Sequence, residues 1–189
     1  AKSEGRHVAV FFALPGREQS DRMDAAVLRD PLVLAALARG DFASVWLDGN
    51  TYGRLFREWI GGGEGMGLCV LDGDGRVVAA RPGPQDAPEF AAFLDQVAAA
   101  QPAIDSARRD LEASPGSAAA TYRLGVQLLE LGCRRETESL LVTAAQRGVV
   151  DAHHRLARLY ALDGDLVRAR QWLQASLPSP ECDVTAGYV

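Results

Sequence analysis

Residues 68–80 read LCVLDGDGRVVAA. Two short apolar runs flank Asp72-Gly73-Asp74-Gly75, and an Asp-Gly turn between such runs is a strong local signal for a β-hairpin. Upstream, residues 7–14 (HVAVFFAL) form another apolar run, rich in Val and Phe and closed by Pro15-Gly16. Its length and residue types predict a buried strand. Residues 42–47 (FASVWL) predict a second strand. Between the two, residues 21–39 carry Met23, Val27, Leu34 and Leu37 at helical spacing, interrupted by Pro31. Two helical pieces, or a kink near Asp30, follow from that proline, and Gly40 is a plausible helix stop. Residues 51–60 predict a short helix with Leu55, Phe56 and Trp59 near one face, and residues 88–100 a helix with Phe90, Phe93, Leu94 and Val97 as its apolar side. Strand, helix, strand, helix, hairpin, helix predicts an α/β domain: a mixed sheet with helices on both faces.

From residue 103 onward there is no strand-like run. Helical patterns cover 103–113, 117–131, 134–147, 151–162 and 165–177, punctuated by Gly132, Gly148 and Gly164. Leu124-Gly125, Leu128, Thr137, Leu141 and Ala144 recur, at one constant offset, as Leu156-Ala157, Tyr160, Ala169, Leu173 and Ser176. A helix-turn-helix unit with a period of this size is the signature of a helical-repeat array. Small residues at Gly125, Ala144, Ala157 and Ala169 let neighbouring helices approach while leucines fill the space between them. The expected organisation is an α/β domain over 1–100, an all-α helical-repeat domain over 101–178 and an irregular tail over 179–189 (from PSPECDVTAGYV, with its prolines and no periodicity).

Composition narrows the function classes. The chain has 189 residues, 48% hydrophobic and 24% charged, which is ordinary for a soluble globular protein. No apolar run approaches the ~20 residues of a membrane helix. A net charge of -5 argues against a nucleic-acid binder that works by phosphate neutralisation. Lys2 is the only lysine against 19 arginines, and Ala and Gly abound; this reads as a GC-rich, bacterial genome rather than a binding device. The start, AKSEGRH, lies close to the first apolar run, as a trimmed or mature form would; it shows no signal peptide and favours neither the bacterial cytoplasm nor the periplasm. The three cysteines, Cys69, Cys133 and Cys182, lie far apart without Cys-x-x-Cys or finger-like spacing, so neither a zinc finger nor a dense disulfide framework is expected.

The first hundred residues resemble the thioredoxin fold. VAVFF leading into a loop and a helix that carries Met23-Asp24, DPLVLAAL followed by DFASVWLD, and LCVLDGDGRVVAARPG carry the resemblance. It implies that the two redox cysteine positions fall on Arg17 and Ser20, in the sequence Arg17-Glu18-Gln19-Ser20. Arginine cannot form a disulfide, and a serine hydroxyl has too high a pKa to resolve one. It further implies that the family's cis-proline position falls on Met66, between Gly65 and Gly67. A non-proline cis bond costs ~3–4 kcal/mol, so Met66 is expected to be trans. The resemblance therefore implies the fold without the oxidoreductase activity. The second half resembles tetratricopeptide or Sel1-like repeats, on LGVQLLELG and LARLYALDGD. That resemblance implies binding of peptides or protein surfaces.

Weighed residue by residue, the candidate binding segment is Arg17, Glu18, Gln19 and Ser20 with Gly65 and Met66, on the face with which the family grips extended peptides. Cys69 reads as a core residue in a strand. Cys133 lies in an inter-helix turn before Arg134-Arg135, which would lower its pKa, and reads as a surface thiol; a Cys133–Cys182 disulfide would need an oxidising compartment. Asp72-Gly73-Asp74-Gly75 lacks the further oxygen ligands and distal Glu of a calcium loop. Gly61 to Gly67 lacks the Gly-Lys-Ser/Thr ending of a phosphate loop and reads as a flexible connection. His153 and His154 are adjacent on a helix, point apart and read as capping or packing. No metal and no cofactor are expected. The expectation is a non-enzymatic protein- or peptide-binding protein, with a thiol-disulfide protein using Cys69 or Cys133 as the alternative, and a structural part of a larger assembly as a third class.

Overall fold

The computed structural model describes residues 6–62 and 65–177, with Asp24 and Ala25 described by backbone alone. The tail expected over 179–189, with Cys182, lies outside them, as do Gly63 and Glu64. Four strands form one sheet: β1 (Val8–Ala13), β2 (Ala43–Asp48), β3 (Gly67–Leu71) and β4 (Val77–Pro82), in the order β2-β1-β3-β4. β1 and β2 run parallel, with Phe11 beside Trp46; β3 is antiparallel to β1 and to β4. The sheet is mixed, as the strand order in the sequence predicts. β1 is paired on both sides and buried on both faces, which its unbroken apolar text requires.

Helices cover both faces of the sheet. α1 (Glu18–Arg22) widens into a π-helical turn over Met23–Val27, where the Leu28 N–H reaches back to the Met23 carbonyl. α2 (Pro31–Arg39) starts afresh: Pro31 occupies its first position, and the Asp30 carboxylate accepts the Leu32 N–H at 2.8 Å. α2 and α4 (Ala87–Ala113) bury Val33, Ala36, Phe90, Phe93, Leu94 and Val97 against one face, on Phe11, Leu68, Val70 and Val78. α3 (Gly53–Trp59) covers the other face, where Phe12 meets the Phe56 ring edge-on at 5.4 Å.

α4 departs from the expected pattern. The two helices read as 88–100 and 103–113 are one helix of 27 residues, capped by the reciprocal pair Asp86 and Glu89, and Pro102 lies within it. Pro102 is solvent-exposed, and the apolar stripe continues past it from Val97 to Ile104 and Ala107, all buried in the same cluster. Burial on that stripe outweighs the ~3 kcal/mol that an interior proline costs a helix. The boundary expected between 100 and 101 therefore falls inside a continuous helix.

Two helical pairs follow: α5 (Ala118–Glu130) with α6 (Arg134–Gln146), and α7 (Val150–Leu162) with α8 (Leu166–Ala175). α7 starts as far after α5 as α8 does after α6, at the offset read in the sequence, and Gly132 and Gly164 turn each pair at φ 75 and 77. Gly125 sits under α6, where an added Cβ would lie 3.2 Å from Leu140 and Leu141. The first pair docks on the sheet. The Ala80 N–H of edge strand β4 donates to the Leu131 carbonyl at 2.9 Å, and a Cβ on Gly132 would lie 2.3 Å from the Ala80 carbonyl oxygen. Among the described residues no strand pairs with the opposite edge, β2, where Val45 and Trp46 are exposed. Among the described residues, no helix is long and apolar enough to cross a membrane.

Candidate functional site

The C-terminal end of β1 gathers the segment singled out in the sequence. The chain turns at Pro15-Gly16, and the Arg17 N–H donates to the Leu14 carbonyl at 3.1 Å as α1 begins. Ser20 points inward, fully buried, and its Oγ accepts the Leu14 N–H at 2.7 Å. The Gly16 N–H donates to the Asp21 carboxylate at 3.2 Å, and Arg22 pairs with Glu18. Gly65, at φ 87, lies against the other side of Leu14: a Cβ there would be 3.2 Å from the Leu14 side chain. Met66 is buried in the cluster of Phe11 and Leu68, and its carbonyl accepts the Gly83 N–H at 2.8 Å. Among the described residues no peptide bond is cis, Met66 included. The fold thus brings Arg17, Ser20 and Gly65 against Leu14. Ser20 and Met66 face the interior, which leaves Arg17, Glu18 and Gln19 as the exposed side chains there. Among the described residues the site holds no thiol, and the Ser20 hydroxyl is engaged by a backbone amide.

The two cysteines among the described residues, Cys69 and Cys133, are elsewhere and buried. Cys69 is buried in β3, and burial pushes its thiol up to about 12. Cys133 is no surface thiol. It is buried at the start of α6, donates its S–H to the Val77 carbonyl at 3.2 Å, and is also pushed up to about 12, burial being the main cause. Arg134 and Arg135, expected to lower it, turn away to Asp163 and Glu58. A thiolate nucleophile needs an exposed, electropositive setting, and neither cysteine has one.

The Asp72-Gly73-Asp74-Gly75 turn is structural. The Asp72 carboxylate accepts the Asp74 and Arg76 N–H groups at 3.0 and 2.8 Å and pairs with Arg108 of α4. Arg108 also lies 3.7 Å from Glu136 of α6, so one guanidinium joins hairpin, α4 and α6. Among the described residues no cluster of His, Cys, Asp and Glu could hold a metal ion. His153 packs its ring edge-on against Trp172 at 5.6 Å, with Nδ1 3.2 Å from the Val149 carbonyl; it is a packing residue, as expected. Beside Gln101, Asp105 and Arg109, His7 lines a cavity of about 440 Å³, and desolvation there holds its pKa below the usual value.

A further feature escaped the sequence reading. α4, α5 and α7 enclose a groove of about 370 Å³ lined by Ser106, Tyr122, Arg123, Val126, Gln127 and Arg155 among others. Arg123 is anchored to Asp110 at 2.6 Å. Arg155 holds in α7 the place that Arg123 holds in α5, so the groove repeats a cation at the period of the helical pairs. That period was legible; which face of α5 and α7 it would present was not. Comparisons of the chain with protein-family models, curated proteins and solved structures return no match.

Proposed function

We propose that this chain is a non-catalytic protein- or peptide-binding protein, built from a thioredoxin-like domain without Cys-x-x-Cys and helical repeats of the tetratricopeptide or Sel1-like kind. The strand order β2-β1-β3-β4, with a parallel first pair and a terminal hairpin, supports the thioredoxin-like reading. Recurrence of a helical pair at a fixed offset supports the repeat reading. The absence of chemistry is supported by Arg17 and Ser20 at the redox positions and by two buried, protonated thiols.

The groove between α4, α5 and α7 carries the binding assignment. Its lining mixes an aromatic ring, small apolar groups and two arginines at equivalent places of the two pairs, the composition of a surface that grips a chain with carboxylates. Arg17, Glu18 and Gln19 are candidate secondary contacts at the end of β1.

The test is selection of phage-displayed peptides on the whole chain, followed by titration of the enriched sequences. Saturable binding that falls at least about tenfold in Tyr122→Ala and Arg155→Glu is expected. Failure to enrich any sequence, or equal binding by both variants, removes the groove reading. In parallel, the chain should show no turnover in dithiothreitol-driven insulin reduction; robust turnover would exclude a non-catalytic protein.

A further inference from the structure

α8 is the last helix of the described stack, and its outer face is apolar. Leu166, Leu173 and Leu177 fall at i, i+7 and i+11, one stripe of a helix, with Arg170 at i+4 among them. The three leucines are 69%, 49% and 67% exposed. In stacked repeats each unit touches only its neighbours, so an end unit without a polar outer face is incomplete by itself.

The counterparts of this stripe one period earlier show what such a face accepts. They are Arg134, Leu141, Ala145 and, matching Arg170, Glu138. On α6 that stripe lies under α7. Leu141 and Ala145 are buried with Ala152 and Leu156 of α7. The Tyr160 hydroxyl donates to Glu138 Oε1 at 2.5 Å, and Arg134 pairs with Asp163.

We propose that the outer face of α8 receives an amphipathic helix of a partner protein, in the register in which α7 packs on α6. The required helix follows residue by residue. It keeps the small residue and the leucine of Ala152 and Leu156, to cover Leu173 and Leu177. It carries a carboxylate where α7 has Tyr160, because the residue beneath is Arg170 in place of Glu138. It carries an apolar residue where α7 has Asp163, because the residue beneath is Leu166 in place of Arg134.

Charge points to the same partner. α8 holds Arg168 and Arg170 and no carboxylate between Leu166 and Ala175. Arg168 is paired with Asp165 at 3.4 Å, whereas Arg170 is exposed and makes no ion pair among the described residues. A second copy of this chain would offer the same arginine-bearing face.

The probe is a fluorescein-labelled peptide of residues 149–163 bearing Y160E and D163L, titrated with the whole chain and read by anisotropy. Saturable binding is expected, at least about tenfold tighter than for the unsubstituted 149–163 peptide. Arg170→Glu, an exposed change checked for folding by circular dichroism, should reverse the preference toward a Y160R/D163L peptide. Lack of saturation by the first peptide, or equal binding to the Arg170→Glu chain, overturns the proposal. So does a sedimenting dimer that Leu173→Glu dissociates, since the face would then belong to a second copy.

Discussion

At Ser20 a hydroxyl on the first turn of α1 holds the end of β1, accepting the Leu14 N–H at 2.7 Å in the interior. Ser20→Ala leaves that buried amide without a partner, which costs about 1–3 kcal/mol, and urea unfolding should register the loss. The cysteines invite a second prediction. With thiols near 12, Cys69 and Cys133 are almost wholly protonated at pH 8. In a Cys182→Ser chain, Ellman's reagent should label neither until denaturant is added. His7 sets a pH dependence. Desolvation lowers its folded pKa from 6.5; Asp105 opposes that shift and Arg108 adds to it. The unfolded chain therefore binds the extra proton first. Stability present above pH 6.5 falls as the pH drops below it toward the folded value, and His7→Gln should flatten that part of the stability–pH curve.

At the scale of elements, the glycine turns of the helical pairs separate backbone strain from packing. Gly132 and Gly148 both adopt positive φ, 75 and 87. Gly132 also presses on β4, where an added Cβ would lie 2.3 Å from the Ala80 carbonyl oxygen, whereas Gly148 has open space around it. Gly148→Ala should cost only the left-handed strain, about 1–2 kcal/mol. Gly132→Ala should cost more in the same chemical denaturation series, because the α5–α6 turn must also lift off the sheet edge it covers. These turns were legible as glycines between apolar periods. The unbroken α4 was not: Pro102 is a local stop signal, and a buried stripe running from Val97 to Ala107 overrides it. Gly40 shows the same limit. It ends α2 as read, but at φ −85; an added Cβ would lie 2.2 Å from the Phe42 ring, so a side chain there requires that ring to shift.

Across the whole molecule, one apolar cluster runs from Ala9 and Phe11 through α4 to Leu124, Leu128, Leu131 and Cys133, so it crosses the expected division at 100. Asp72, Arg108 and Glu136 make the same crossing with charge. Arg108→Ala would strand the Asp72 carboxylate in the interior, and breaking such a buried pair costs about 3–5 kcal/mol. Because the pair joins both halves, the sheet and the first helical pair should lose stability together. In a Trp172→Phe background, fluorescence of Trp46 and Trp59 and the helical circular dichroism of Arg108→Ala should shift to lower urea in step; a shift of one signal alone would show that the halves unfold independently.

Periodicity and turn chemistry are local, so the sequence by itself determined the hairpin at Asp72, the four strands, an interruption of the helix at Pro31 and the recurrence of the helical pairs. Burial is a property of what the rest of the chain lays against a residue, and only the tertiary structure decided it. Cys133 is buried, with its thiol pushed up, because the α5–α6 turn seats it on β4. Ser20 faces inward because its hydroxyl takes the Leu14 N–H, and Met66 because it joins the apolar cluster of Phe11 and Leu68. Arg123 and Arg155 share a groove because α5 and α7 turn the same face toward α4. Leu173 stands exposed, although its counterpart Leu141 is buried, because no further helix covers α8 among the described residues.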